Sequence, residues 1–269
     1  MTILFTICGR AGSKGFKNKN VKEMNGVPLV YYTLAAIKGY ADRHGEDDIR
    51  VAVNTDSKEL KDIIKAQKAV CGIEYVRRKE ELAGDAVPKI DVIRDTYLAV
   101  KGNRAVDVAV DLDITSPLRT VGDVEHAIRE LLVNPEYDLV YSVVEARRSP
   151  YFNLVEQSAD GFFHTVCEGN LTARQQAPKC YELNASIYAY RPEFLEGNID
   201  KAISAYRTGI SLMRDYLALD IDSEEDFVMM EMLHRYYIDT QEDMKALYAD
   251  AKCMRDRDSQ TGNDKERRG

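Results

Sequence analysis

Thr6-Ile7-Cys8-Gly9-Arg10-Ala11-Gly12-Ser13-Lys14-Gly15 is the stretch of sequence that decides the fold of this chain, and Lys17, Lys19 and Asn20 follow it. It continues the apolar run Ile3–Ile7, which predicts a buried first strand. Backbone amides and cations at the carboxyl edge of a sheet form an anion site, for which a triphosphate is the usual ligand. The spacing of the glycines matches neither G-x-x-x-x-G-K-[ST] nor G-x-G-x-x-G. A plain tight turn is the alternative, which the clustered cations disfavour.

The rest of the chain alternates between apolar strands and helical patterns. Apolar runs predict strands at residues 49–55, 73–77, 106–112, 138–144 and 184–190, and periodicity predicts helices at residues 28–37, 58–70, 90–100, 121–132 and 224–237. This order predicts an α/β fold, a Rossmann-like mostly parallel sheet with helices on both faces. Ligands of such sheets bind beyond the carboxyl ends of the strands. We expect one domain over residues 1–240, followed by a C-terminal helix and a disordered tail from Arg255 within residues 241–269.

The composition excludes several classes of protein. The chain carries 37 basic and 45 acidic residues and a net charge of -8, which argues against nucleic acid as a partner. No apolar run has the length of a membrane span, and no signal core follows the amino terminus, so we expect no membrane association. The five cysteines form no C-x-x-C pair. Scattered thiols of this kind predict a reduced, cytoplasmic protein.

Two further motifs are present, one after a predicted strand and one near the end of the fold. Asp113-Ile114-Thr115-Ser116-Pro117-Leu118-Arg119 follows the fourth strand, and Asp220-Ile221-Asp222-Ser223-Glu224-Glu225-Asp226 precedes the last helix. Together with the opening stretch they resemble the CMP-sialic acid synthetases, cytidylyltransferases that activate nine-carbon 2-keto sugar acids. The central motif of that family resembles Q-P-T-S-P-L-R, and its late motif resembles D-I-D-T-x-x-D. The resemblance extends from about Thr2 to His234.

The resemblance implies a sheet of the nucleotide-diphospho-sugar transferase type and a defined reaction. The anomeric hydroxyl of the sugar acid attacks the α-phosphorus of CTP and expels pyrophosphate. Because charge builds on the phosphate oxygens, the site must supply cations, amide donors and a divalent metal. The family's opening motif, A-R-x-x-S-K-G-x-x-x-K-N, is matched by Arg10, Ser13, Lys14, Gly15, Lys19 and Asn20. CTP and a nonulosonic acid are therefore the expected partners.

Residue roles follow from the same resemblance. Arg10, Lys19 and Asp222 are the expected catalytic residues. The expected nucleotide-binding residues are Arg10, Gly12, Ser13, Lys14, Asn20, Arg78 and Lys89. A solvated surface charge is the alternative for each lysine taken singly. Asp56 is predicted only to cap its helix.

Asp220 and Asp222 are the candidate metal ligands. They alternate around Ile221, so an extended segment would point both carboxylates to one side, as Mg²⁺ or Mn²⁺ near a phosphate requires. Asp226 comes one helical turn later and is predicted to cap a helix or face solvent. The alternative for the pair is a turn and an N-cap without metal.

Sugar recognition requires groups that bind a carboxylate and amides. The resemblance and the donor types nominate Asp113, Ser116, Arg119, Arg174, Gln175, Lys179, Asn184 and Tyr188. Asp113 stands where sialic acid enzymes have glutamine, and Tyr151-Phe152-Asn153 stands where they have lysine. These departures are most similar to legionaminic acid cytidylyltransferases, which act on a 5,7-diamido relative of sialic acid. Legionaminic acid and sialic acid both remain open as substrates.

The regular succession of strands and helices breaks between Ser149 and Leu183. Prolines, glycines and short alternating pieces predict an inserted β-hairpin arm. In the resembled family this region crosses a dimer and covers the partner's active site, so we expect a homodimer. An ordinary surface hairpin is the alternative, which the aromatic residues of the segment disfavour.

Two other functions compete with this interpretation. A sugar-1-phosphate nucleotidyltransferase shares the sheet and the glycine-rich opening but uses a phosphate as the nucleophile. The S-K-G-x-x-x-K-N spacing disfavours it. A non-catalytic nucleotide-binding module is the second alternative, and the presence of Arg10, Lys19, Asp220 and Asp222 argues against it.

Overall fold

The structure is a computed structural model that describes most of the chain. It describes residues 1–12, 15–84, 86–169, 171, 173–214 and 219–266, with only the backbone at residue 174 and residues 257–266. The predicted phosphate ligands Ser13 and Lys14, and the side chain of Arg174, therefore lie outside the described part.

Eleven strands are present in the described residues. They are β1 (Thr2–Cys8), β2 (Glu23–Met24), β3 (Val27–Pro28), β4 (Asp48–Thr55), β5 (Glu74–Arg77), β6 (Val108–Leu112), β7 (Leu139–Glu145), β8 (Val155–Gln157), β9 (Phe163–Thr165), β10 (Tyr181–Tyr190) and β11 (Thr208–Leu212). The helices are α1 (Leu29–Arg43), α2 (Lys58–Ala66), α3 (Lys89–Val100), α4 (Val121–Val133), α5 (Pro192–Glu196), α6 (Glu224–Thr240) and α7 (Glu242–Glu266). Four short 3₁₀ turns complete the described secondary structure.

Seven of these strands form one sheet, in the order β11-β7-β10-β6-β1-β4-β5. Strands β6, β1, β4 and β5 are parallel, and β11 is parallel to β7. Strand β10 runs antiparallel to both of its neighbours. The register pairs Cys8 with Asn54 and Thr55 with Arg77, so the carboxyl ends of these strands meet at one edge. The predicted mostly parallel sheet is confirmed.

Helices cover both faces of the sheet, as the sequence predicted. Side chains of β1 alternate between two apolar clusters because successive residues of a strand point to opposite faces. Phe5 packs with the buried residues of α1, α2, α4, α6 and α7. Leu4 packs on the other face with Tyr97 of α3 and Leu195 of α5. None of the helices in the described residues is long and apolar enough to cross a membrane.

The segment between Ser149 and Leu183 contains the predicted hairpin. Strands β8 and β9 are antiparallel, with Val155 opposite Thr165. The hairpin exposes Phe162 and Phe163. Its role as a dimerisation arm stays a prediction.

The C-terminal segment differs from the prediction. The composition predicts a disordered tail from Arg255, whereas α7 continues to Glu266. Met254 is fully buried against the core. Arg255 donates to the Gly26 carbonyl at 2.7 Å. These tertiary contacts hold the helix at a point where the local sequence has few apolar residues.

Candidate active site

The loop after β1 is shaped by close packing. A Cβ at Gly9 would lie 2.5 Å from Leu60 Cδ2, so only glycine fits without displacement. Gly12 has a φ of +64°, a left-handed conformation that favours glycine. Asn20 is buried, and its amide donates to the Arg10 carbonyl at 3.0 Å. Asn20 thus holds the backbone of the predicted phosphate loop.

A second side chain, that of Asp56 directly after β4, holds the same loop. The Ala11 amide donates to Asp56 Oδ1 at 2.7 Å. Ser57, rather than Asp56, caps α2 by accepting from the Leu60 amide. The prediction that Asp56 only caps its helix is therefore wrong, because its carboxylate faces the loop.

The predicted residues from four separate segments line one cavity of about 170 Å³ at the carboxyl edge of the sheet. They are Arg10, Lys19, Asn20, Arg78, Lys89 and Asp113. Cys8 and Thr115 also line it. The cavity brings four cationic side chains and one carboxylate together, which is the environment that a triphosphate nucleotide requires.

All three sequence motifs meet beside this cavity. Lys19 Nζ lies 2.7 Å from Asp222 Oδ1 and 3.0 Å from the Ile221 carbonyl. The Ile221 amide donates to the Thr115 carbonyl at 2.9 Å. A Cβ at Gly15 would lie 2.8 Å from the Asp222 carbonyl oxygen, so the opening loop approaches the late motif closely. The opening, central and late motifs are therefore in direct contact.

Lys89 belongs to a carboxylate cluster. Its ammonium lies 2.6 Å from Asp113 Oδ2 and 2.8 Å from Asp111 Oδ2, and it stands 5.3 Å above the ring of Tyr188. Asp111 is fully buried and also accepts from the Thr6 hydroxyl at 2.7 Å. The cation is thus balanced by two aspartates at the wall of the cavity.

The charges of this cluster are stabilised by one another. Burial opposes the charged form of Lys89, but Asp111 and Asp113 raise the pKa of its ammonium well above its usual value. Burial likewise opposes ionisation of Asp113, but Lys89 and hydrogen bonds from Thr115 lower the pKa of its carboxyl far below the usual range. At neutral pH Lys89 is therefore held as the ammonium and Asp113 as the carboxylate.

Arg78 forms another wall of the cavity. It is buried, and its Nε donates to Asn54 Oδ1 at 3.0 Å. The Asn54 carbonyl also accepts from the Gly9 amide at 3.1 Å, which ties the end of β4 to the start of the loop. Arg78 is therefore oriented before any ligand binds.

Asp220 and Asp222 have the chemistry of a partial metal site. Burial and the nearby carboxylates of Asp222 and Asp113 raise the pKa of Asp220. Crowded carboxylate oxygens are ligands that Mg²⁺ and Mn²⁺ prefer, so the two aspartates fit such an ion. Among the described residues, no group of three or more His, Cys, Asp or Glu side chains could hold a metal. Asp226 caps α6 together with Ser223, as predicted.

Arg119 and Ser116 do not face the cavity, in contrast to the prediction that they bind substrate. Arg119 is fully buried, and burial lowers the pKa of its guanidinium to about 10. It donates to the carbonyls of Asp113 and Ser116 and to the hydroxyls of Thr33 and Ser186. Its side chain therefore stabilises the central motif from inside the core.

Asn184 is also a buried structural residue. Its Oδ1 accepts from the Ser142 hydroxyl at 2.6 Å, and its backbone carbonyl accepts from the Ser116 hydroxyl at 3.3 Å. With 1% of its surface exposed, it has no access to a ligand. The predicted substrate contact at Asn184 stays a prediction, and in this structure its side chain serves the core.

The remaining predicted sugar ligands fall at two other cavities. Gln175 and Lys179 line a cavity of about 430 Å³ with Arg148 and Tyr181, which shares no lining residue with the 170 Å³ cavity. Tyr188 lines a third cavity of about 550 Å³. Its apolar walls are formed by Ile90, Ile93, Tyr190, Ile199 and Ile203. Lys89 lines both this cavity and the 170 Å³ cavity, so the two adjoin.

Sequence reasoning missed Asp111 and Thr115. An aspartate inside the apolar run 106–112 was the available signal for Asp111, because a buried carboxylate needs a partner. Thr115 acts through both its side chain and its backbone, since it donates to Asp113 Oδ1 and accepts from Ile221. A backbone contact of this kind leaves no mark in the sequence.

Comparisons with known proteins agree with this geometry. The chain is 37% identical over 233 residues to post-translational flagellin modification protein B of Campylobacter coli, covering 86% of this chain and 94% of that protein. It is 37% identical over 234 residues to CMP-N,N'-diacetyllegionaminic acid synthase of Campylobacter jejuni, with the same shares covered.

A solved structure shares the fold. It is CMP:2-keto-3-deoxy-manno-octonic acid synthetase complexed with CTP, with a TM-score of 0.63 and 14% sequence identity over 88% of this chain and 99% of that one. The family model described as cytidylyltransferase matches residues 4–253. The chain therefore belongs to the cytidylyltransferase family.

Proposed function

We propose that this protein transfers a cytidylyl group from CTP to the anomeric hydroxyl of a nonulosonic acid and releases pyrophosphate. The observation that carries the proposal is the contact of all three motifs at one cavity. Lys19 of the opening motif bonds Asp222, and Ile221 of the late motif bonds Thr115. A phosphate chain bound there meets cations, backbone amides and acidic metal ligands within one site.

The triphosphate is bound by the loop after β1. Arg10 and Lys19 supply positive charge toward the α-phosphate and the leaving pyrophosphate, respectively. Backbone amides near Gly12 supply neutral donors. Asp56 and Asn20 hold the loop in place through backbone hydrogen bonds, which lowers the reorganisation needed on binding. Ser13 and Lys14 stay predicted phosphate ligands.

A divalent cation would be held by Asp220 and Asp222 with phosphate oxygens completing its ligands. When bound, Mg²⁺ or Mn²⁺ neutralises developing charge on the phosphates. Burial and the neighbouring carboxylates raise the pKa of Asp220, and a cation beside it would stabilise its charged form. Lys19 bonds Asp222, so the ammonium also keeps that carboxylate oriented beside the phosphates.

The nucleoside is placed against the wall formed by Arg78 and Lys89. Arg78 is held by Asn54, and Lys89 by Asp111 and Asp113. Both cations are therefore fixed before the ligand arrives. Fixed donors are the arrangement that selects one base over another.

The acceptor is proposed to be a legionaminic-type acid with acylated amino groups. The carboxylate of Asp113 can only accept hydrogen bonds, so it matches a donor such as an amide N–H of the sugar. The apolar cavity beside Tyr188 has room for acyl and methyl groups and adjoins Lys89. The 37% identical relative named CMP-N,N'-diacetyllegionaminic acid synthase supports this choice over sialic acid. Arg174 and Lys179 stay proposed carboxylate ligands, and Gln175 stays a proposed substrate contact.

A homodimer is proposed through exposed apolar side chains at the end of the sheet formed by β10, β7 and β11. Leu183 of β10 and Leu212 of β11 are both half exposed and both pair with Val143 of β7. Ile210 extends the same apolar face. With the aromatic hairpin β8–β9, this surface suits a second copy of the chain. Light scattering that finds only monomer at micromolar concentration would reject the dimer.

The function is tested by CTP-dependent pyrophosphate release with a panel of acceptors. Legionaminic acid, sialic acid and a sugar 1-phosphate are compared by kcat/KM. The proposal predicts the highest value with legionaminic acid and no release with the sugar 1-phosphate. Preference for sialic acid would overturn the choice of acceptor, and preference for the sugar 1-phosphate would overturn the reaction.

A further inference from the structure

A turn remote from the cavity is bound by the C-terminal helices. Asn25 and Gly26 connect β2 and β3, and Asn25 has a φ of 50°, a left-handed conformation that asparagine and glycine tolerate best. The Asn25 amide donates to Glu231 Oε1 at 2.8 Å. Its side-chain Nδ2 lies 2.7 Å from His234 Nδ1, and its Oδ1 accepts from Arg235. Every polar atom of this side chain is thus bonded to α6.

Helix α7 holds the same turn from the other side. The Gly26 carbonyl accepts from Arg255 at 2.7 Å. The Asn25 carbonyl accepts from the Tyr248 hydroxyl at 3.5 Å. These contacts join residues more than two hundred positions apart in the sequence. The turn is therefore fixed to both helices.

The chain between this turn and Lys19 is continuously bonded. Lys19 begins a 3₁₀ turn, and the Lys22 amide donates to the Lys19 carbonyl at 3.2 Å. The Lys22 carbonyl then accepts from the Leu29 amide at 2.9 Å. The Met24 carbonyl accepts from the Tyr32 hydroxyl at 2.8 Å. A displacement of the turn would therefore be transmitted to Lys19.

The other route from the turn to the site runs through α6. The helix begins at Glu224, two residues after Asp222, and Asp226 Oδ2 accepts from the Asp222 and Ser223 amides at 3.1 and 2.8 Å. Its capping box fixes the Asp222 backbone to the helix that binds Asn25 two turns later. Lys19 and Asp222 are thus connected both directly and through the turn.

We propose that Asn25 is a positioning residue for the cytidylyl transfer, which sets the placement of Lys19 relative to Asp222. This inference rests on the proposed function. The direct contact between Lys19 and Asp222 is partly exposed, with 71% of the Asp222 side chain accessible. An exposed ion pair is weak and competes with water. The Asn25 contacts supply the rigidity that the pair lacks, and misplacement by about 1 Å costs ~10²-fold in rate.

The test compares Asn25→Gly with wild type. Glycine keeps the left-handed backbone and the N–H that donates to Glu231, so the fold is retained, but it removes the side-chain carboxamide that contacts His234 and Arg235. At an assay temperature well below the melting temperature of the variant, we expect kcat/KM for CTP to fall about tenfold. Glu231→Ala should reproduce the loss, and Glu231→Gln, which keeps the acceptor oxygen, should restore most of it. Met232→Gln, on the exposed face of the same helix, should match wild type.

A double-variant cycle separates positioning from general destabilisation. If Asn25 acts through Lys19, adding Asn25→Gly to Lys19→Gln should reduce kcat/KM by less than about twofold further. A further tenfold loss, or wild-type kcat/KM for Asn25→Gly, would overturn the inference. Calorimetric titration with Mg²⁺–CTP, which needs no turnover, is run alongside. Absence of turnover in wild type would count against the proposed function, whereas equal affinities of Asn25→Gly and wild type would overturn this inference.

Discussion

Burial of His234 predicts that the protein loses stability on mild acidification. The imidazole is 2% exposed and lies against the rings of Tyr32 and Tyr248. Burial lowers its pKa to about 4 from a usual value near 6.5. Glu231 and Arg235 are charged residues of α6 that bond the adjoining Asn25 turn. Since Nδ1 bonds the Asn25 amide nitrogen, the neutral form is the one that the folded state accommodates.

The sign follows from proton linkage. Between pH 6.5 and about pH 4 the unfolded chain binds a proton at His234 that the folded chain does not. The contribution is therefore fully favourable above pH 6.5 and is lost as the pH falls toward 4. A difference of about 2.5 pKa units corresponds to about 3 kcal/mol over the whole range. Roughly 2 kcal/mol of this is lost between about pH 7 and about pH 5.

Urea unfolding at the two pH values measures this loss, with His234→Gln as the comparison. Glutamine can accept from Asn25 but does not titrate, so the fall on acidification should be smaller by about 2 kcal/mol in the variant. All other titrating groups are common to both proteins. An equal fall in wild type and His234→Gln would refute the reasoning, whatever the stability of the variant at neutral pH.

Three other predictions concern the site and the C-terminal helix. Asp222→Asn keeps the shape but removes the charge, so kcat should fall by at least ~10²-fold while the melting temperature is retained, and full activity of this variant or of wild type in excess chelator would reject the metal site. Lys89→Met leaves Asp111 and Asp113 without their cation, so the free energy of unfolding should fall by about 3 kcal/mol. Lys101→Met, which removes a surface pair with Glu196, is the matched control and should cost at most about 1 kcal/mol; equal losses would show that burial of the cluster is unimportant. Removal of residues 257–269 retains Arg255 and its bond to Gly26, so melting temperature and rate should stay nearly unchanged, and a large loss of either would show that this segment stabilises the fold.

Much of the site could be predicted because its parts follow strands in sequence. The glycine-rich loop after Ile7 and the central motif after Leu112 each begin where an apolar run ends. Parallel strands bring such ends to one edge, and Arg10, Lys19 and Asp113 line one cavity there. The anion-binding character of this loop could also be predicted, because a cluster of cationic residues indicates an anion site by residue type alone.

Residue type did not reveal which polar side chains face the cavity. Arg119, Ser116 and Asn184 have the donors of a substrate site, but the structure buries them because several backbone carbonyls of the central motif need donors inside the core. Local sequence cannot report such a need, which arises only when strands β6 and β10 pair.

The sequence by itself determined the alternation of strands and helices, the parallel sheet and the three motifs, because hydrophobic periodicity and glycine are local signals. Only the tertiary structure decided that Lys89 pairs with Asp111, that α7 extends past Arg255, and that the Asn25 turn binds α6. Each of these depends on contacts between residues far apart in the chain. Their free energy exists only after the sheet and helices have packed, so no local pattern contains it.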